Sequence, residues 1–169
     1  MVSAYTALAN NGERMKLRII DKIEDPETGY VYTFPIKSAG RMFGPKAAKE
    51  IVTMMKMVTE AGGTAVKANV PGYYVAGKTG TGQKWVNGEY SHSKFVGNFV
   101  GFVPADDPAF LLLVAVDEPN GAYYGATVAA PHFSNIAKKA LRYFDVPPSY
   151  EVDTKKIKDK KTPGNGDRR

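Results

Sequence analysis

Residues 94–118 read KFVGNFVGFVPADDPAFLLLVAVDE and contain two strongly apolar strand-like runs. The PADDP segment between the runs is a short turn, so the two predicted strands should pair in antiparallel fashion. In the first run, apolar side chains fall on both faces, with Phe95 and Phe99 on one face and Val96 and Val100 on the other. Because such a strand has to be covered on both sides, the stretch predicts a sheet between two layers of helices.

The rest of the chain supplies the other elements of this arrangement. Apolar residues spaced three and four apart predict helices over residues 2–10, 44–61 and 128–144. Runs rich in β-branched and aromatic residues predict strands over residues 16–23, 30–35 and 73–81. The DPETG segment at 25–29 is a turn that joins the first two of these strands into a hairpin. The predicted fold class is therefore α+β, with α/β/α layers and an antiparallel sheet that has helices on both faces.

Several side-chain positions follow from these elements. The Met side chains at 54, 55 and 57 lie on the second predicted helix and are expected to pack in the core, because Met fills irregular gaps. The last predicted helix has an apolar stripe, expected to face the sheet, that consists of Ala129, Phe133, Ile136, Ala137, Ala140 and Phe144. Residues 85–90 are expected to form a polar loop.

The composition excludes several classes of protein. The chain has 169 residues, 43% of them hydrophobic, and no cysteine. Disulfides, thiolate catalysis and cysteine-ligated metal centres are therefore excluded. The strongly apolar run Phe110 to Val116 is much shorter than the roughly 18 residues that a membrane span needs. No segment has the pattern of an export signal, and the chain itself is expected to be soluble.

The net charge of +6 is concentrated at the end of the chain. Residues 151–169 contain seven Lys or Arg and four Asp or Glu, which is half of the excess. This segment is poor in apolar residues, so we expect a domain over residues 1–148 and a basic, disordered tail over residues 149–169. Nucleic-acid binding is not expected, because no aromatic residues interleave with the basic ones.

The segment VAGKTGTGQ at 75–83 contains the residues that carry chemistry. On a strand, Thr79 and Thr81 point to one face and Lys78 to the other. An ammonium group and two hydroxyls beside the open backbone of Gly80 suit the binding of a carboxylate, or of an oxyanion together with a backbone N–H. Gly72 and the GKT sequence also match a phosphate-binding loop formally, but the residues between them favour a strand and no helix follows.

The longer sequence context resembles the transpeptidase domains of class B penicillin-binding proteins, which act in cell division and elongation. The similarity includes the KTGT segment, FVGFVPADDP at 99–108, DEP at 117–119 and YGATVAAPHF at 124–133, and it extends through nearly all of residues 1–145. The resemblance implies D,D-transpeptidation of peptidoglycan stem peptides, in which a serine attacks the D-Ala-D-Ala bond and is also the target of β-lactams. It implies divisome or elongasome partners, and a membrane-anchored parent protein with this domain on the extracytoplasmic side of the bacterial membrane.

The resemblance also implies roles for individual residues. Lys78 would be the catalytic residue of this segment, adding positive charge beside a serine of the family's S-x-N motif. Thr79, Gly80 and Thr81 would bind substrate: the two hydroxyls would hold the substrate or β-lactam carboxylate, and the Thr81 N–H would form half of the oxyanion hole. No cofactor or metal is expected, since neither His92 nor His132 has partners at metal-ligand spacing.

Only the third of the family's three motifs, KTGT, is clearly present in the sequence. Ser-x-Asn does not occur, and S-x-x-K occurs once, as SHSK at 91–94, after the KTGT segment and in a predicted loop. Because the family's nucleophile opens a helix far upstream of KTGT, we do not expect Ser91 to be that nucleophile. We expect the chain to be the C-terminal part of a transpeptidase domain, inactive alone, with the N-terminal part as its missing partner. A non-catalytic ligand-binding or scaffold module and a serine β-lactamase are the alternatives.

Overall fold

The computed structural model of the protein describes residues 1–152. A three-stranded antiparallel sheet, in which strands that follow each other in the chain are neighbours, lies at the centre of the fold. Its strands are β5 (Ala76–Val86), β6 (Glu89–Val103) and β7 (Phe110–Asp117). In the register, Val100 of β6 lies opposite Lys78 of β5 and opposite Leu113 of β7. The antiparallel pairing predicted for residues 94–118 is therefore confirmed.

Helices cover both faces of this sheet. They are α1 (Val2–Ala9) and α2 (Pro45–Met57) on one face, and α3 (Gly125–Val128) and α4 (Ala130–Tyr143) on the other. Phe102 of β6 shares an apolar cluster with Met55 of α2. Phe99, on the opposite face of β6, packs against Phe133 of α4 with ring centroids 4.8 Å apart. The predicted α/β/α layering is confirmed.

A ribbon made of two small two-stranded sheets precedes α2 in the chain. Its strands are β1 (Glu13–Met15), β2 (Lys22–Glu24), β3 (Val31–Thr33) and β4 (Ser38–Arg41), and β1 pairs with β4 while β2 pairs with β3. The DPETG turn is present, and the Asp25 carboxylate accepts a hydrogen bond from the Glu27 N–H at 2.9 Å. The strands are shorter than the predicted runs 16–23 and 30–35. Among the described residues no layer packs on the outer part of this ribbon. Ile19, between β1 and β2, is fully exposed, and an uncovered two-stranded ribbon keeps little regular structure.

The expected polar loop at 85–90 is instead the end of a long β-hairpin. Residues 85 and 86 pair with residues 90 and 89, and only Asn87 and Gly88 lie in the turn. Both turn residues have positive φ, 53° for Asn87 and 91° for Gly88. Asn-Gly is the residue pair that favours such a tight turn, because Asn tolerates this conformation and Gly adopts it without steric cost. The prediction overlooked this signal.

The single helix predicted over residues 128–144 is divided into α3 and α4. Pro131 has no N–H to donate to Thr127, and its ring would clash with that carbonyl, so a helix cannot continue smoothly through this point. The buried stripe of α4 is centred on Phe133, Ala137 and Leu141, so Ile136 is 45% and Phe144 61% exposed. The prediction was therefore wrong for Ile136 and Phe144.

The predicted burial of the Met face of α2 is correct for one residue of three. Met55 is buried, but Met54 and Met57 are 64% and 62% exposed. A helix on the surface buries one stripe only, and side chains at 54 and 57 lie away from the direction of 55. Helix α2 also ends at Met57, before the predicted end at 61. The chain then passes through a short 3₁₀ helix at Val66–Ala68 to β5.

The first residues of the predicted tail contact the domain. The Ser149 N–H donates to the Gly72 carbonyl at 2.8 Å, and the Tyr150 ring lies 5.1 Å from the ring of Tyr74. The remainder of the predicted disordered tail, residues 153–169, lies outside the described residues. None of the helices within residues 1–152 has both the length and the apolar character needed to cross a bilayer.

Candidate functional site

The KTGT segment lies in the first half of β5, which is an edge strand of the described sheet. Residues 76–83 pair with residues 95–102 of β6 in an unbroken antiparallel register. Within residues 1–152 no strand is paired with the outer edge of β5. Unpaired backbone groups along such an edge are available to an extended ligand.

The two threonines and the lysine lie on opposite faces, as predicted. Thr79 pairs with Phe99, which faces α4, and Thr81 contacts α3 on the same side. The Lys78 side chain leaves the backbone on the opposite face of the strand and is exposed. Its side chain bends over the strand, where Nζ donates to the Thr79 carbonyl at 3.1 Å and to Thr79 Oγ1 at 3.2 Å. The ammonium group is thereby brought to the threonine side of the edge.

A backbone group of α3 orients the Thr81 side chain. The Gly125 N–H donates a hydrogen bond to Thr81 Oγ1 at 3.2 Å. Because this bond uses a lone pair of the hydroxyl oxygen, the hydroxyl hydrogen remains free to donate to an anion. Sequence reasoning did not identify Gly125 as a site residue, although it lies within the quoted YGATVAAPHF segment.

Gly125 and Gly80 allow the close packing that forms this corner. A Cβ atom on Gly125 would lie 2.1 Å from the Asn98 carbonyl oxygen and 2.6 Å from that of Gly80. A Cβ atom on Gly80 would lie 2.5 Å from Oδ1 of the Asn98 side chain. Only glycine therefore fits at these positions without displacement of the neighbouring atoms, and α3 can approach the KTGT strand directly.

The arrangement is suited to holding a carboxylate. One exposed ammonium group and two hydroxyls lie within four consecutive residues, beside a strand edge with unpaired backbone. Charge-assisted hydrogen bonds from such groups are stronger than those between neutral groups. The predicted residues Lys78, Thr79, Gly80 and Thr81 are thus brought together by the structure, whereas a serine nucleophile is not part of this corner among the described residues.

Ser91 and Lys94 do not form a nucleophile–base pair. Both residues lie on β6, where Ser91 Oγ accepts hydrogen bonds from the backbone N–H groups of Ser93 at 3.2 Å and Lys94 at 3.0 Å. Lys94 Nζ instead pairs with the Glu118 carboxylate at 3.5 Å. A serine on a strand that caps the local backbone lacks the activating contact of an S-x-x-K helix.

Residues 1–152 hold no group of three His, Asp or Glu side chains arranged to bind a metal ion. His92 lies on β6 and His132 near the start of α4, and neither is buried. A cleft of about 810 Å³ lies elsewhere, between α1, α2 and the turn after β6, where Leu8, Val52 and Asp106 are among its lining residues. The KTGT residues are not part of its lining.

A profile of the family described as the penicillin-binding protein transpeptidase domain matches residues 1–138. The chain belongs to this family. Among its relatives, the probable peptidoglycan D,D-transpeptidase PenA of Neisseria gonorrhoeae is 34% identical over 159 residues, covering 94% of this chain and 26% of the relative. Stage V sporulation protein D of Bacillus subtilis is 37% identical over 149 residues, which are 87% of this chain and 23% of the relative.

Solved structures of penicillin-binding proteins share the fold of this chain. The transpeptidase domain of penicillin-binding protein 3 from Burkholderia pseudomallei is 38% identical with a TM-score of 0.73, over 89% of this chain and 43% of that one. Penicillin-binding protein 3 from Mycobacterium tuberculosis, solved with ampicillin, is 32% identical with a TM-score of 0.77, over 90% and 36% of the two chains. The chain spans about a quarter of the length of the curated relatives named above.

Proposed function

We propose that this chain supplies the carboxylate-binding half of a peptidoglycan D,D-transpeptidase site. The observation that carries the proposal is the corner at β5, where Thr79 and Thr81 share one face, Gly125 orients Thr81, and Lys78 bends over the strand to the same side. The ligand would be the C-terminal carboxylate of a D-Ala-D-Ala stem peptide, or the equivalent carboxylate of a β-lactam.

Each residue has a separate task in this proposal. The Thr79 and Thr81 hydroxyls donate to the carboxylate, and the Lys78 ammonium lowers the free energy of the negative charge nearby. As the acyl carbonyl becomes tetrahedral, the Thr81 N–H stabilises its oxyanion. Gly80 keeps the strand close to its neighbour so that these donors keep their positions.

The serine that attacks the D-Ala-D-Ala bond would belong to a different part of the complete transpeptidase domain. The family uses the S-x-x-K and S-x-N motifs for nucleophile activation, and the only S-x-x-K match here is on β6 without an activating contact. The residues of this chain would thus bind substrate and stabilise the transition state, while acylation needs the complementary part of the domain. We propose a membrane-anchored parent protein that acts outside the cytoplasm in the divisome or elongasome.

Two parallel reactions with a fluorescent penicillin test this proposal. The full chain alone should form no covalent adduct by intact-mass measurement. A chimera in which residues 1–152 replace the aligned segment of the Neisseria gonorrhoeae relative should be acylated stoichiometrically, because the relative supplies the nucleophile.

Variants of the chimera assign the residues. Lys78→Ala and Thr81→Ala should slow acylation at least tenfold, since a hydrogen bond to a charged group contributes about 1.5–3 kcal/mol. Thr81→Ser should restore most of the rate, and Thr53→Ala, an exposed threonine on α2, is the matched control. A stoichiometric adduct on the chain alone would refute the proposal and would make Ser91, the serine of the S-x-x-K match, the first candidate nucleophile.

A further inference from the structure

An aromatic pair lies exposed at the tip of the β5–β6 hairpin. Trp85 and Tyr90 are opposite each other across the two strands, with ring centroids 4.9 Å apart and ring planes at 82°. The side chains are 62% and 60% exposed. Trp85 is the only tryptophan of the chain. Two large rings that contribute little to the core, and form a corner in solvent, are suited to contact a ligand.

The hairpin tip is held in place from both ends. The tight turn at Asn87 and Gly88 closes it on one side. On the other side, Lys84 Nζ binds the carboxylates of Asp117 at 2.9 Å and Glu118 at 2.8 Å, and so ties β5 to the end of β7. A preorganised surface of this kind loses less conformational entropy on binding than a mobile one.

The pair lies on the same strand as the KTGT corner. Trp85 follows Thr81 by four residues, which is about 13 Å at the rise of an extended strand. A peptide that adds to the free edge of β5 in antiparallel direction, with its C-terminal carboxylate at Thr79 and Thr81, runs with its N-terminal end towards Trp85. Four extended residues before the terminal D-Ala span at most about 14 Å.

We propose that Trp85 and Tyr90 bind the amino-sugar ring to which the stem peptide is attached. This inference rests on the proposed function and names a second contact of the same substrate. The apolar face of a pyranose ring packs on an aromatic ring, and Tyr90 and the exposed Glu89 offer polar groups to its hydroxyls. Lys84 and Lys94 are already paired with carboxylates, so the tip suits a neutral sugar better than a phosphate.

Tryptophan fluorescence of the full chain tests this directly, because Trp85 is the sole indole. Titration with chitotetraose, a peptide-free oligomer of N-acetylglucosamine, should produce a saturable change in emission. Tyr90→Ala should raise the Kd about tenfold, equivalent to about 1.4 kcal/mol. Tyr143→Ala, which removes an exposed ring on α4, should leave the titration unchanged. An acetylated stem pentapeptide without sugar brings only its N-terminal end near Trp85, so its effect on the emission should be smaller than that of the sugar.

Three results would overturn the inference. The first is the absence of a saturable change in emission up to about 10 mM sugar, where a Kd of about 1 mM would be evident. The second is an equal change in emission with the peptide alone. The third is emission that depends on protein concentration, together with dimers in sedimentation, which would make a second copy of the chain the occupant of the surface. Penicillin acylation of the chimera does not use Trp85. Acylation without sugar binding would therefore refute this inference alone, and sugar binding without acylation would refute the proposed function alone.

Discussion

Replacing Gly125 by alanine should displace α3 from the KTGT strand. The new Cβ atom would lie 2.1 Å from the Asn98 carbonyl oxygen and 2.6 Å from the Gly80 carbonyl oxygen. Both atoms belong to the backbone of the paired strands β5 and β6, so neither can move without breaking the ladder. The φ angle of Gly125 is not in the left-handed region, and the cost therefore arises from these contacts alone.

The magnitude has two parts. Overpacking of a tight contact costs about 1–3 kcal/mol. Moving α3 away also lengthens the 3.2 Å hydrogen bond from the Gly125 N–H to Thr81 Oγ1, and a typical hydrogen bond contributes about 0.5–1.5 kcal/mol. The free energy of unfolding should thus fall by about 2–4 kcal/mol, which for a domain of this size lowers the Tm by about 5–15 °C.

Thermal unfolding of the full chain, followed by circular dichroism, measures this change. Gly82→Ala is the matched control, because Gly82 lies on β5 without a positive φ and a Cβ atom added there would meet no neighbouring atom within 4 Å. The Tm of this control should stay within the range of surface substitutions. In the chimera, Gly125→Ala should also slow penicillin acylation, because the Thr81 hydroxyl loses its orienting donor. Equal Tm values for the two variants would refute the packing argument.

Two further predictions concern other contacts. Thr59 is buried and its hydroxyl donates to the Val75 carbonyl at 2.9 Å. Thr59→Val should therefore lower the free energy of unfolding, measured by urea titration, by about 1–3 kcal/mol, whereas Thr59→Ser should stay near wild type. Equal losses in the two variants would contradict a role for this hydrogen bond. The hydrogen bond from Lys84 lowers the pKa of Glu118 below its ordinary value. This pair therefore stabilises the fold at pH values above the usual glutamate pKa, and the stabilisation disappears as the pH falls through the lowered pKa. Lys84→Met should therefore lower the Tm at about pH 7 but not at about pH 2, and an equal loss at both pH values would rule out the ion pair as the cause.

Local sequence patterns were sufficient to predict side-chain positions where the environment of a residue follows from its neighbours in the chain. The alternation of apolar residues along β6 predicted that Phe99 and Phe102 face different layers, and it also placed Thr79 and Thr81 on one side of β5. The errors came at Pro131 and at the Asn87-Gly88 turn, which both carry clear local signals that the prediction did not use. The exposure of Met54 and Ile136 had no such signal, because helical spacing predicts a stripe but not its centre.

The sequence by itself determined the α+β layering, the antiparallel sheet and the position of Lys78, Thr79, Gly80 and Thr81 on one strand, since period-2 and helical patterns depend only on the order of residues. The tertiary structure alone decided that Gly125 reaches Thr81, 44 residues away in the chain. It also decided that Trp85 and Tyr90 remain in solvent. Contacts between distant segments depend on how the layers pack, and no local pattern specifies the relative position of a helix and a strand to within the length of a hydrogen bond.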